Sequence, residues 1–123
     1  MAATRKKLVI KVLTGLNDPE RTVQAFTVAA SAIASGVDVS LWLTSDASDF
    51  ALPGKAAELI LAHAAPLEEL LQSVLENGTV TLCTQCAQRR GITQEAVIKG
   101  IVIKGAASFV EEIMAEGVQA LVY

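Results

Sequence analysis

Short runs rich in valine, isoleucine and leucine recur along this chain, and the segments between them carry helical spacing. Lys7 to Leu13 (KLVIKVL) is apolar at nearly every position, which reads as a buried strand. Val37 to Leu43 (VDVSLWL) alternates enough for a second strand, and Thr79 to Leu82 is a third that runs straight into Cys83. Gly100 to Lys104 (GIVIK) and Val118 to Tyr123 (VQALVY) supply two more. Asp18-Pro19 marks a helix start, a capping side chain followed by proline at the first helical position. Val23, Phe26, Thr27, Ala30, Ile33 and Ala34 then recur on a helical period up to a stop at Gly36. Thr44 to Ala65 is irregular, with Asp46, Asp49, Pro53 and Gly54, and is expected to hold a short helix from Lys55 to Leu61. Pro66 opens a helix whose face is Leu67, Leu70, Leu71, Val74 and Leu75, closed by Asn77-Gly78. Thr84 to Arg90 reads as a short helix ended by Gly91, and Thr93 to Lys99 as another helical piece. Ala106 to Glu116 reads as a helix with Phe109, Val110, Ile113 and Met114 inward. Strands alternating with helices predict an α/β fold, a mainly parallel sheet with right-handed crossovers and flanking helices. A chain of 123 residues suits one such domain, spanning 1–123.

Composition narrows the partners. The formal charge of -3 and pI near 5.1 argue against nucleic acid, which favours a basic face. The apolar stretch after Arg5, Lys6 and Lys7 is too short for a signal peptide, and nowhere is there a run of roughly 20 apolar residues that would span a membrane. The expected compartment is therefore the cytoplasm, whose reducing poise disfavours a permanent disulfide. With 52% hydrophobic residues but only 4% aromatics, the core is built from small aliphatic side chains that bury less area each. Self-association is expected to complete the burial.

The segment Thr81-Leu82-Cys83-Thr84-Gln85-Cys86-Ala87-Gln88-Arg89-Arg90-Gly91 carries the most chemistry. In an α/β sheet, sites form at the carboxyl ends of strands, and Cys83 stands at a strand end and a helix start. Free N–H groups there stabilise an anion, so the Cys83 thiolate is expected to form below the ordinary thiol range of about 8.5. Cys86 lies one helical turn on, within reach of Cys83, and Arg89 and Arg90 follow as added positive charge or as solvated surface. A cysteine is also often a small buried hydrophobe, and a lone C-x-x-C is half a zinc site. Only His63 and carboxylates remain as further ligands, which argues against a bound metal. A thioredoxin-like redox pair is physically reasonable, but the flanking aromatic and proline residues of such a site are missing. His63, the only histidine, is either a base approaching Cys83 or an exposed loop residue. Asp46 and Asp49 either line the same mouth or serve as turn and cap residues. Gly15 with Asn17 is too weak a signal for a phosphate loop. Trp42 and Phe50 read as core or subunit contacts, and Glu111, Glu112 and Glu116 as a solvated face.

At this cysteine segment the chain resembles the DsrE/TusD group of sulfur-relay proteins, the YchN-like fold. The resemblance rests on a strand running into Cys83, the small residue Ala87, then Arg89-Arg90-Gly91-Ile92, with Leu43-Thr44-Ser45-Asp46 ending an earlier strand and a hydrophobic strand at the end. It implies a compact fold with a roughly five-stranded, mainly parallel sheet layered as in flavodoxin- and Rossmann-like folds. It also implies trimers or hexamers of the chain, a sulfur-donor or acceptor protein as partner, and no cofactor. Sulfur would be carried as a persulfide on Cys83, a sulfurtransferase-like role; the residues themselves offer Arg89, Arg90, His63 and Asp46 as its supporting groups. Cys86 stands where TusD-like members have a small residue, so it becomes a resolving or modulating thiol. Two alternatives stay open: a thiol–disulfide sensor using both cysteines, and a non-enzymatic oligomeric binding or scaffold protein.

Overall fold

A computed structural model describes residues 6–123; Arg5 lies outside the described residues. Five parallel strands form one sheet in the order β4-β3-β2-β1-β5: β1 Lys7–Val12, β2 Asp38–Leu43, β3 Thr79–Cys83, β4 Val102–Lys104 and β5 Val118–Val122. The chain steps outward from β1 to β4, then returns across the sheet to place β5 on the far side of β1. The outward crossovers carry α1 (Pro19–Ala34), α2 (Leu67–Asn77) and α3 (Thr84–Arg89), and the return carries α4 (Ala106–Ile113).

Local chemistry sets the helix limits. The Asp18 carboxylate accepts the Arg21 N–H at 3.3 Å at the start of α1, with Pro19 as its first residue. Beyond Ala34 the chain turns through Gly36 at φ 82, a left-handed conformation that glycine adopts freely. Pro66 precedes α2, and Glu68 and Glu69 in its first turn complement the helix dipole.

Registry divides the side chains between two sheet faces. Ile10, Val12, Val39, Leu41, Leu43, Val80 and Leu82 point toward α1 and α2 and are buried with Phe26, Phe50, Leu67, Leu71 and Val74. Phe26 and Phe50 meet edge to face at 6.0 Å. The opposite face carries Val9, Lys11, Trp42 and Thr81 under α4 alone. Trp42 packs on Phe109 at 5.2 Å, Lys11 lies over the same ring at 5.1 Å, and Glu112 accepts the Trp42 indole N–H at 3.4 Å. Glu112 is thus an inward anchor of α4, also 3.8 Å from Lys7, and not part of a solvated face.

The structure corrects further expectations. Lys55 to Leu61 contains only a single 3-10 turn, Ala56–Glu58, while a longer 3-10 helix occupies Ser45–Ala51. Thr93 to Lys99 is a series of turns, because Gln94 spends its side chain on the Ile101 carbonyl (2.8 Å) and the Ile103 N–H (3.1 Å). The Ile98 N–H goes to the Ala51 carbonyl instead of to a helix partner. Finally, α4 stops at Ile113, and Val110 and Met114 face outward at 53% and 76% exposure. No helix among the described residues is long and apolar enough to cross a membrane.

Candidate functional site

The loops after β1, β2 and β3 meet at the carboxyl end of the sheet. β1 and β2 are adjacent, and so are β2 and β3, which brings the loop after β2 against both others. Thr44 anchors that central loop by donating both its N–H (3.0 Å) and its hydroxyl (2.7 Å) to the Val12 carbonyl. Ser45 then takes φ 47, a left-handed conformation that a residue with a side chain adopts only under constraint. The constraint has a visible product: the Ser45 N–H points across to β3's helix and donates to the Cys86 sulfur at 3.2 Å.

Cys83 ends β3 and caps α3 without a capping hydrogen bond from its side chain; it is half-buried. Cys86, at the third position of α3, is buried at 7% exposure. The Cys83 thiol lies near enough to the Cys86 sulfur, three residues on, to favour its anion. Both are free thiols.

Burial alone pushes the Cys86 thiol up. The Ser45 N–H, the Cys83 thiol, the Ser48 hydroxyl and the positive charge of Arg90 outweigh it, so Cys86 ionises below the ordinary thiol value. The Ser48 hydroxyl is fully buried with no hydrogen-bond partner, and it lies near enough to the Cys86 sulfur to favour its anion. Arg90 donates to the Cys86 carbonyl at 3.3 Å and lies 3.5 Å from the Asp46 carboxylate. Asp46 in turn accepts from the Asn17 amide at 3.1 Å, and Asn17 accepts the Gly15 N–H at 3.0 Å. A hollow of about 230 Å³ opens beside this chain of contacts, lined by Leu16, Asn17, Asp46, Asp49, Phe50 and Lys55.

Of the residues singled out in the sequence, Cys83, Cys86, Arg90 and Asp46 come together. Arg89 is exposed on α3 with no hydrogen bond or ion pair among the described residues, and His63 is exposed in the loop before α2 at φ 62 and is not among the groups acting on Cys86. Asp49 lines the hollow, and the Gly15 N–H is taken by Asn17. Ser45 and Ser48 were not singled out for the site; the signal that finds them is the adjacency of β2 and β3, which sets the ends of both strands side by side. Among the described residues, no three His, Cys, Asp or Glu side chains converge on a point where a metal ion would sit.

The structure is thus a parallel five-stranded α/β fold with one thiol at a strand end and a second one turn later that accepts a backbone N–H. The chain belongs to the DsrE/DsrF-like family, whose pattern matches residues 6–123. Its fold is that of the YchN protein from E. coli, at a TM-score of 0.74 and 21% identity over 96% of this chain and 100% of that one. MTH1491 from Methanobacterium thermoautotrophicum, a protein of unknown function, superposes at a TM-score of 0.73 with 9% identity, covering 96% of this chain and 99% of that one. BT1422 from Bacteroides thetaiotaomicron, a conserved protein of unknown function, gives a TM-score of 0.60 with 16% identity over 96% and 95%. No curated protein matches the chain by sequence.

Proposed function

We propose that the chain is a sulfur carrier that holds sulfane sulfur as a persulfide on Cys83. The observation that carries this reading is the pairing of a half-exposed thiol with a buried sulfur three residues on that accepts the Ser45 N–H. Membership of the DsrE/DsrF-like family supports a sulfur-relay role. In the loading step the Cys83 sulfur attacks the outer sulfur of a donor persulfide, R–S–SH. The donor's S–S bond breaks, and the Cys83 proton passes by way of the Cys86 sulfur to the departing R–S⁻, which leaves as R–SH and restores the Cys86 thiolate. An inert core cysteine would draw no benefit from a backbone amide donated to its sulfur, which weighs against the scaffold reading.

Anaerobic incubation of the protein with a small persulfide donor, followed by intact-mass measurement, tests the proposal. The expected result is one added sulfur per chain in Cys86→Ser and none in Cys83→Ser. An equal adduct in both variants, or in neither, refutes carriage on Cys83.

The same reading extends to assembly. The face under α4 stays incompletely covered: Val102, Val110, Met114 and Val122 are exposed on it or on the helix above, at 42%, 53%, 76% and 64%. β5, at the sheet edge, carries no charged residue to block pairing. The occupant we assign is a second copy of this chain, in keeping with the trimers and hexamers of the resembling group. Sedimentation at micromolar concentration is expected to show an oligomer that Val122→Lys with Met114→Lys dissociates; a wild-type monomer would refute it.

A further inference from the structure

The two sulfurs differ in access, and that difference assigns them different partners. Cys83 is half-buried and open to an outside donor, whereas Cys86 is 7% exposed and walled by Ser45, Ser48 and its own helix. A nucleophile shut in this way reacts with what is delivered beside it, and the group beside it is Cys83. We propose that Cys86 discharges the carrier by attacking the Cys83 persulfide at the sulfur bonded to Cβ, so that the protein releases hydrosulfide. This rests on the sulfur-carrying reading above and adds a reductive output to it.

The balance is closed. Cys86–S⁻ plus Cys83–S–SH gives a Cys83–Cys86 disulfide plus HS⁻: the new S–S bond joins the two cysteines, the old one to the outer sulfur breaks, and its electron pair leaves with hydrosulfide. The sulfane sulfur is reduced, and the two cysteines are oxidised in its place. A dithiol, either a small molecule or a thioredoxin-type protein, then reduces the bridge and is itself oxidised. Geometry permits the bond. Cys83 caps the helix that holds Cys86 at its third position and lies near enough to act on its sulfur, and a disulfide needs the two Cβ atoms brought to roughly 3.8 Å. The Ser45 N–H at 3.2 Å and the unpartnered Ser48 hydroxyl stabilise the attacking sulfur as an anion, and Arg90 adds positive charge beside it. Burial keeps outside donors and oxidants from consuming that anion before Cys83 is loaded.

The experiment loads wild type, Cys86→Ser and Ser48→Ala anaerobically with one equivalent of a glutathione persulfide, removes unreacted donor, and follows free sulfide and intact mass without reductant. Wild type is expected to lose its added sulfur as sulfide and to finish lighter than the reduced chain by two hydrogens. Cys86→Ser is expected to keep its adduct, with release slower by about tenfold or more. Ser48→Ala is expected to release sulfide with its pH midpoint displaced upward, a change that a merely structural serine would not produce. An adduct on wild type that persists as long as on Cys86→Ser overturns this inference while leaving sulfur carriage intact. An absence of adduct on Cys86→Ser overturns both.

Discussion

Ser45→Pro is expected to abolish the depressed ionisation of Cys86 and to destabilise the fold by about 3 kcal/mol. Proline has no N–H, so the 3.2 Å hydrogen bond to the Cys86 sulfur disappears. Its ring also holds φ near -65°, whereas Ser45 sits at φ 47. The loop after β2 must then leave the course set by Thr44 and Val12. Ser45→Gly is the control: it keeps the N–H and adopts positive φ without strain, so it preserves the Cys86 environment and stabilises slightly. In a Cys83→Ser background, where Cys86 is the only thiol, thiolate absorbance followed against pH reads the effect directly. The midpoint of Ser45→Gly is expected to lie below the ordinary thiol value, and that of Ser45→Pro to rise toward it. Stability has the same sign. A thiol that ionises more readily folded than unfolded adds stability that is complete above the unfolded value and is lost as pH falls through the folded one. Urea midpoints of the two variants are therefore expected to diverge as pH rises toward the ordinary thiol value and to differ only by the backbone strain in acid. Coincident titration curves would refute the role given to the Ser45 amide.

How far this site could be read from residues alone follows from the range of the interactions involved. Asp18-Pro19 located the start of α1 because a cap is a contact between near neighbours, here Asp18 and Arg21. Cys83 and Cys86 were legible for the same reason, being one turn apart beside a strand end. Thr93 to Lys99 misled because Gln94 and Ile98 satisfy partners at Ile101, Ile103 and Ala51, which no local pattern announces. The outward turn of Val110 and Met114 was hidden in a like manner. Trp42, Lys11 and Glu112 decide which side of α4 faces the sheet, and Trp42 lies on a distant strand. Ser45 and Ser48 acquire their meaning only when β2 is known to lie beside β3. The cysteines are visible in the sequence; the groups that set their chemistry are supplied by topology.

That dependence makes Gly15 a sensitive position, although it touches neither sulfur. A Cβ there would lie 2.5 Å from the Asp46 carbonyl oxygen and 3.0 Å from its carbon, so backbone has to move to admit even alanine. The loop after β1 cannot yield easily. The Gly15 carbonyl accepts from the Thr22 hydroxyl and the Asp18 N–H, both at 3.1 Å, and its own N–H is held by Asn17. Thr22 is fully buried, which ties this loop to the first turns of α1. The displacement therefore falls on Asp46 and on its neighbour Ser45, the donor to Cys86. Gly15→Ala is expected to cost about 1–3 kcal/mol as an overpacked contact, a large share of the roughly 5–15 kcal/mol that holds a domain together. It is also expected to raise the Cys86 midpoint in the Cys83→Ser background, in the same direction as Ser45→Pro. Breaking the Arg90–Asp46 pair by Asp46→Asn separates the two consequences: an exposed ion pair contributes about 0–1 kcal/mol, and the backbone of the loop stays in place. Denaturant melts and thiolate titrations of Gly15→Ala and Asp46→Asn should thus part company, the glycine variant losing both stability and Cys86 ionisation. A Gly15→Ala protein as stable as wild type, with its Cys86 titration unmoved, would show that the loops after β1 and β2 shift independently and that the donor to Cys86 is not held in place from β1.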